Sequence, residues 1–224
     1  MPARTLRTRP KERRPAPKTK RRANRAEKKD ATRQRIVEAA LELFQSSGFD
    51  ATTTKAIARK AGIAEGTVFN YFRTKDDIAL HFFEQEVEHA IKSVRDNARL
   101  SKASLEEKLF ALIQRQLEYI APYERFIGNA LVEALKPSSK LGILSHRAQA
   151  LRLRYVAFVE DLMEAAISKK RFIPIRWWAP DAFWVFYLAT LLFWLHDTSD
   201  GKQKTLAFLD RSLKVGVSML KRGA

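Results

Sequence analysis

The sequence predicts an all-α fold, with an N-terminal three-helix helix-turn-helix domain and a larger C-terminal helical domain. From residue 31 onward, apolar residues recur at intervals of three and four, which is the spacing of one face of a helix. Ser/Thr caps and glycines mark helix ends, and only RFIPIRWWAP, residues 171–180, is typical of a turn or short extended connector. With 46% hydrophobic residues, a chain of 224 residues can fill a sizeable core.

The chain is strongly basic, and the excess lies at its start. The formal net charge is +17, and residues 1–30 hold 13 Lys/Arg against 3 Asp/Glu. A balance this basic favours a nucleic-acid partner, and an acidic membrane surface less so. Residues 1–29 contain four prolines and almost no large apolar side chains, so we predict a disordered basic arm. Such an arm either binds DNA phosphates and the minor groove or is only a solubilising tail.

Several classes of protein fit the sequence poorly. The chain has no cysteine, which excludes disulfides and thiolate metal sites. No signal peptide is visible, and the longest uncharged run, residues 182–195, is shorter than the roughly 20 residues that a bilayer span needs. We therefore expect a soluble, cytoplasmic and nucleoid-associated protein.

The first two helices are delimited by local signals. A first helix after a cap at Asp30 would bury one apolar face and end at Gly48. Thr53 is the best N-cap for a short second helix, and Gly62 is placed to end it in the left-handed conformation. Two short helices joined by such a turn predict a helix-turn-helix.

A third helix lies in AEGTVFNYFRTKDD, residues 64–77. Val68 and Phe72 are four residues apart and can pack inward, and Gly66 allows a close backbone approach. A helix with small, hydroxyl and amide side chains in its first turns suits entry into a major groove. Next, Thr74-x-x-Asp77 predicts a capping box that opens a fourth helix.

The stretch TRQRIVEAALELFQSSGFDATTTKAIARKAGIAEGTVFNYFRTKDDI resembles the N-terminal domain of the tetracycline-repressor (TetR) family, over roughly residues 30–90. The resemblance implies that phosphates and base edges are contacted from the second helix, the groove from the third, and a further phosphate from the start of the fourth. Phe69 departs from the family pattern, which often has tyrosine there. The implied DNA-binding residues are Thr53, Lys55, Glu65, Gly66, Thr67, Phe69, Asn70, Tyr71 and Lys75.

Residues 91–224 are expected to form an effector-binding and dimerisation domain. Ser104-x-x-Glu107 predicts a second capping box. The segment DAFWVFYLATLLFWLH, residues 181–196, is apolar on all sides and has to be covered on all sides. With the final helix it can pair with a second chain as a four-helix bundle, or it can belong to an ordinary intrachain core. The predicted dimer residues are Leu206, Leu209, Leu213, Gly216, Val217 and Leu220.

Polar groups on otherwise apolar faces are the candidate lining of a pocket for a small hydrophobic or aromatic ligand. Each of them can instead be a satisfied core residue. The candidates are Gln116, Tyr119, Tyr123, Tyr155, Trp184, Tyr187 and Thr190.

No catalytic motif or cofactor-binding motif is present, so we expect binding rather than catalysis. We predict no metal site, although two His/Asp/Glu clusters are the least weak alternative. The sequence favours a homodimeric repressor that binds a palindromic operator and is released by a small molecule. The alternative is a constitutive DNA-organising or protein-interaction factor without a ligand. The clusters are His81, Glu84, Glu88 and His89, and His196, Asp197 and Asp200.

Overall fold

The structure, a computed structural model, describes residues 18–134, 136, 139, 141–142, 145–166 and 178–222, and this part of the chain is helical without a strand. Short 3-10 turns at Ala121–Tyr123 and Asp200–Lys202 join some of the helices. The α-helices are α1 (Lys18–Ser47), α2 (Thr54–Lys60), α3 (Glu65–Phe69), α4 (Lys75–Arg95), α5 (Ala98–Ser101), α6 (Leu105–Ile120), α7 (Glu124–Ala134), α8 (His146–Ala166), α9 (Ala179–His196) and α10 (Gln203–Arg222).

Helix α1 begins well before the position that the sequence predicts. It runs through Asp30, so the predicted cap there is wrong, and residues 18–29 are helical rather than part of a disordered arm. The physical reason is composition, because this segment consists largely of Ala, Lys and Arg, contains neither Pro nor Gly, and so has high helix propensity. The rest of the predicted arm, residues 1–17, lies outside the described residues.

The helix-turn-helix is built as predicted. Gly48 and Gly62 have φ of 90° and 67°, the left-handed region that ends α1 and α2. The Thr53 hydroxyl accepts a hydrogen bond from the Ala56 amide at 3.1 Å and caps α2. Val68 of α3 is fully buried against the apolar faces of α1 and α2. The recognition helix is therefore held from beneath by the core of its own domain.

Helix α4 leads from this domain into the C-terminal helices. The Thr74–Asp77 capping box is formed as predicted, and α4 packs against α6 and α8. Arg147 of α8 donates to Asp77 Oδ1 at 2.9 Å and to Glu84 Oε1 at 2.7 Å. These two ion pairs join α8 to the first three turns of α4.

The C-terminal helices bury only part of the available apolar surface. The Ser104–Glu107 capping box opens α6 as predicted. Helix α9 buries Phe183, Tyr187 and Trp194, but Val185, Leu192 and Phe193 on the same helix are exposed. The described part of the chain contains no helix that is long and apolar enough to span a bilayer. Residues 171–177 of the predicted connector lie outside the described residues.

Candidate DNA interface and effector site

The predicted DNA-contacting residues lie on and around α3. Gly66, Asn70 and Phe69 are exposed, and the Phe69 side chain is 49% accessible. Thr67 and Tyr71 are half-buried. The amide of Tyr71 still donates to the Val68 carbonyl at 2.9 Å, so the helical turn continues beyond the end of α3. The structure thus presents an amide, a hydroxyl and an exposed ring from one short helical segment.

The start of α2 is tied to the start of α3. The Thr54 hydroxyl donates to Glu65 Oε1 at 2.8 Å. Thr53 and Lys55 flank Thr54 and are both exposed. Glu65 therefore helps to position the turn, while the exposed Thr53 and Lys55 side chains lie beside the beginning of the recognition helix.

Lys75 does not have the surroundings that the sequence suggests. Its ammonium donates to the carbonyl oxygens of Phe49, Asp50 and Thr52 at 2.6, 3.0 and 3.2 Å. Since an ammonium has three N–H donors, all of them are used within the protein. The expected phosphate contact of Lys75 is accordingly replaced by a structural one, in which the side chain closes the turn that follows α1.

The candidate ligand residues form a packed polar cluster instead of a cavity wall. Gln116, Tyr155 and Thr190 are fully buried, and the Tyr155 hydroxyl donates to Gln116 Oε1 at 2.8 Å. The rings of Tyr119 and Tyr123 lie 5.5 and 5.4 Å from the ring of Phe82. Trp184 lies with its ring 5.4 Å from that of Tyr155. The prediction that these seven residues line a pocket is corrected, because their polar groups and rings fill the space between the helices.

Glu86 of α4 is a member of this cluster that the sequence interpretation missed. Its side chain is 2% exposed, and burial raises its pKa to about 8, although hydrogen bonding with the side chains of Gln116 and Tyr187 favours the ionised form. Glu86 Oε1 and Gln116 Nε2 have no hydrogen-bond partner of good geometry. The signal was available, because Ile78, Phe82, Glu86 and Ala90 follow one another at intervals of four and Glu86 is the polar member of that apolar row.

An apolar cavity of about 500 Å³ does exist, at a different place. It lies among α6, α8, α9 and α10, and none of the seven candidate ligand residues lines it. Its size is within the range of small-molecule sites in proteins. The lining residues are Leu109, Met163, Trp178, Ala179, Ala182, Phe183, Phe186, Phe208, Ser212, Leu213, Gly216, Val217, Met219 and Leu220.

The predicted dimer residues are mostly turned toward their own chain. Leu209, Leu213 and Val217 are buried in the intrachain core, so they cannot form the surface of a partner interface. Leu206 and Leu220 are half-buried, and only Gly216 of the predicted set is exposed. The exposed apolar side chains lie on neighbouring faces of α9 and α10, and the stacked rings of Phe193 and Phe208, 5.2 Å apart, connect the two rows. These side chains are Val185, Leu192, Phe193, Phe208, Val215 and Met219.

The two alternative metal clusters are engaged in other interactions. Glu84 and Glu88 form ion pairs with Arg147 and Arg154 of α8. Asp197 accepts hydrogen bonds from the amide and the hydroxyl of Thr205 at 2.8 and 2.7 Å, and so fixes the start of α10. Within the described ranges, no group of three or more His, Asp or Glu side chains is arranged to hold a metal ion.

Family models match both parts of the chain. Residues 36–82 match the model of the bacterial regulatory proteins of the tetR family. Residues 108–224, more than half of the chain, match the model of the tetracyclin repressor-like C-terminal domain. The first match covers the helix-turn-helix, and the second covers the helices that enclose the cavity.

Individual relatives agree with these models. The chain is 25% identical over 205 residues to the HTH-type transcriptional regulator YfiR of Bacillus subtilis, covering 88% of this chain and 90% of that protein. It is 30% identical over 86 residues to the fatty acid metabolism regulator protein of B. subtilis, covering 38% of this chain and less than half, 44%, of that protein.

A solved structure shows the same fold. The transcriptional regulator FadR from B. subtilis, in complex with stearoyl-CoA, superposes with a TM-score of 0.63 at 20% identity, covering 83% of this chain and 97% of that one. The two family models, the helix-turn-helix geometry and the shared fold together establish that this chain belongs to the TetR family of DNA-binding transcriptional regulators.

Proposed function

We propose that two copies of this chain repress transcription from a palindromic operator until a long-chain acyl thioester releases them. The observation that carries the proposal is the apolar cavity of about 500 Å³ in the C-terminal domain. A constitutive DNA-organising factor has no use for such a cavity, whereas a ligand-responsive repressor requires one.

The DNA side of the proposal rests on α3 and the start of α2. The exposed Asn70 amide and Phe69 ring can meet base edges and thymine methyl groups in a major groove. Thr53 and Lys55 would contact the adjacent phosphates, and Gly66 and Thr67 would lie against the backbone. Lys75 is left out of this set, because its donors are used within the protein.

The dimer side rests on the exposed apolar faces of α9 and α10. A patch that includes Phe193, Val215 and Met219 is unfavourable in water and typical of an interface. A second copy, packed across these faces as a four-helix bundle, would cover the patch. The resulting two-fold axis would place two recognition helices about 34 Å apart, in successive major grooves.

The ligand class is suggested by the lining of the cavity and by the relatives. Its walls are aliphatic and aromatic, with the Ser212 hydroxyl as the side-chain polar group. Such a lining suits an alkyl chain. One relative is named for fatty acid metabolism, and one structure of the same fold holds stearoyl-CoA. We extend that ligand class to this chain, together with a cytoplasmic, nucleoid-associated location.

The proposal is tested by selecting the preferred duplex from a random library with the purified full chain and then titrating the complex with lauroyl-CoA. We expect a palindromic consensus, a stoichiometry of two chains per duplex, and release of the DNA by micromolar or lower lauroyl-CoA. Free coenzyme A is the matched control and should not release it. Binding to any duplex with equal affinity, unchanged by acyl-CoA, would instead support the constitutive factor.

A further inference from the structure

The polar cluster beneath the cavity is chemically incomplete. Four helices contribute to it: Glu86 from α4, Gln116 from α6, Tyr155 from α8 and Tyr187 from α9. The Tyr155 hydroxyl donates to Gln116 Oε1 at 2.8 Å, and the Tyr187 hydroxyl bonds to the Glu86 carboxyl group. Glu86 Oε1 and Gln116 Nε2 are left without partners although both side chains are buried. Unpaired polar atoms in a core are costly, so these two atoms indicate a missing binding partner.

The protonation of Glu86 decides which partner fits. The titratable groups that act on it are Tyr119 of α6, Tyr155 of α8 and Tyr187 of α9, and all three hydroxyls have raised pKa values and are therefore neutral. With no cation among these neighbours, burial raises the pKa of Glu86 to about 8, and the carboxyl is mostly protonated at neutral pH. Since Tyr187 donates to one of its oxygens, the proton belongs on the other, Oε1.

The cluster therefore presents two free donors, the Glu86 carboxyl O–H and the Gln116 amide N–H. An ammonium group would bring further donors and accept nothing from either. A carboxylate would bring a buried negative charge into a site with no cation among its titratable neighbours. An uncharged carbonyl oxygen has two lone pairs and can accept from both donors.

We propose that Glu86 and Gln116 together bind the carbonyl oxygen of the effector's acyl group, while its alkyl chain occupies the apolar cavity. The two places are close, because Phe183 lines the cavity and its ring stacks on Tyr155, centroid to centroid 6.2 Å, and Tyr155 bonds to Gln116. Leu109, another lining residue, lies on α6 seven residues before Gln116, a rise of about 10 Å. Movement of the Phe183 and Tyr155 rings connects them. This inference rests on the proposed acyl effector.

The test compares two probes that differ only at the carbonyl: lauroyl-CoA, a thioester, and S-dodecyl-CoA, a thioether of the same chain length. Affinities of the full chain are measured by calorimetry at about pH 6.5 and about pH 9, on either side of the Glu86 pKa of about 8. We expect the wild type to prefer the thioester by about tenfold to hundredfold at the lower pH, as expected for one or two hydrogen bonds. The preference should shrink at the higher pH, because an ionised Glu86 no longer donates to the carbonyl.

Three variants separate the clamp from the cavity. Glu86→Gln keeps a neutral donor and should retain the preference at both pH values. Gln116→Met removes the amide donor and should lose most of the preference while still binding the thioether. Thr190→Val removes a buried hydroxyl that bonds to the Phe186 carbonyl, and should behave like the wild type. Circular dichroism confirms that each variant is folded.

The outcomes are distinguishable. Equal affinity of the wild type for both probes overturns the carbonyl clamp and leaves the acyl effector intact. A preference that survives Gln116→Met, or that grows as the pH rises, also overturns it. If neither probe binds the wild type, the proposed acyl effector is wrong and the clamp falls with it.

Discussion

Replacing Glu86 by glutamine is expected to stabilise the fold, and to do so more strongly as the pH rises. In the folded chain burial raises the pKa of Glu86 from 4.5 to about 8. Between these values the unfolded chain has lost the proton and the folded chain retains it. The neutral carboxyl thus contributes stability that is fully present below pH 4.5 and is lost as the pH rises through about 8.

The size of the effect follows from the separation of the two pKa values. Each unit corresponds to about 1.4 kcal/mol, so the shift from 4.5 to about 8 represents a loss of about 3–5 kcal/mol above pH 8. At pH 7 about two-thirds of that loss has already occurred. Glutamine has almost the same shape and no charge, and therefore removes the pH-dependent part.

The assay is urea unfolding of wild type and Glu86→Gln at equal protein concentration, between about pH 5 and about pH 9. The free energies of unfolding of the two proteins should lie close together at the acidic end and diverge toward the alkaline end. Glu118→Gln is a matched control, because Glu118 is exposed and pairs only with its neighbours on α6, Gln114 and Arg115. Parallel pH profiles for wild type and Glu86→Gln would show that the carboxyl is solvated, and the reasoning about the buried cluster would be refuted.

Three further outcomes are expected. Asn70→Ala should cost about 1–3 kcal/mol at the operator and spare binding to random duplex, as measured by competition titration, and equal losses on both would remove Asn70 from the recognition surface. Met219→Glu, at a 65% exposed side chain, should give a folded monomer in sedimentation, whereas Leu213→Glu at a buried position should unfold the C-terminal domain; a Met219→Glu dimer would contradict the proposed interface. Deleting residues 1–29, which include 13 cationic side chains, should make the slope of log K against log salt shallower by about 3.6 per subunit if about 4 phosphates are neutralised, with operator preference retained, and an unchanged slope would mean that the segment is only a solubilising tail.

The helix ends were predictable because the atoms that form them are close together in the chain. Thr53 caps α2 through the amide of Ala56, and the two capping boxes each join residues three positions apart. Gly62 takes up the left-handed conformation that its position after α2 demands. Signals of this kind need no knowledge of the tertiary fold.

The environment of Lys75 could not be predicted in this way. Its three acceptors, on Phe49, Asp50 and Thr52, lie 26, 25 and 23 positions earlier in the chain. Only the packing of α4 beside the end of α1 brings them within reach. A lysine at the positive start of a helix suggests a phosphate site, and the carbonyl oxygens that occupy it become visible only in three dimensions.

The faces of α9 and α10 pose a different problem. Nearly every side chain of α9 is apolar, so hydrophobic periodicity cannot distinguish the face that packs on the chain itself from the face that remains exposed. On α10 the row containing Leu209, Leu213 and Val217 is the most regular, and for that reason it enters the intrachain core. The prediction assigned this row to the partner because the sequence cannot show how much intrachain surface α6 provides.

Helix α4 is the element through which the two sites can influence each other. Its first turn begins just after the recognition helix, and Asp77 both completes the Thr74 capping box and accepts from Arg147 of α8. Glu86, nine residues further along the same helix, belongs to the buried cluster that we assign to the effector. An acyl group bound between Glu86 and Gln116 would act on α4 and α6 together, at the place where Tyr155 and Tyr187 attach α8 and α9. Because a helix transmits displacement along its axis, a shift at Glu86 reaches the capping box and changes the spacing of the two recognition helices, which lowers operator affinity by the difference in the ligand's affinity for the two arrangements.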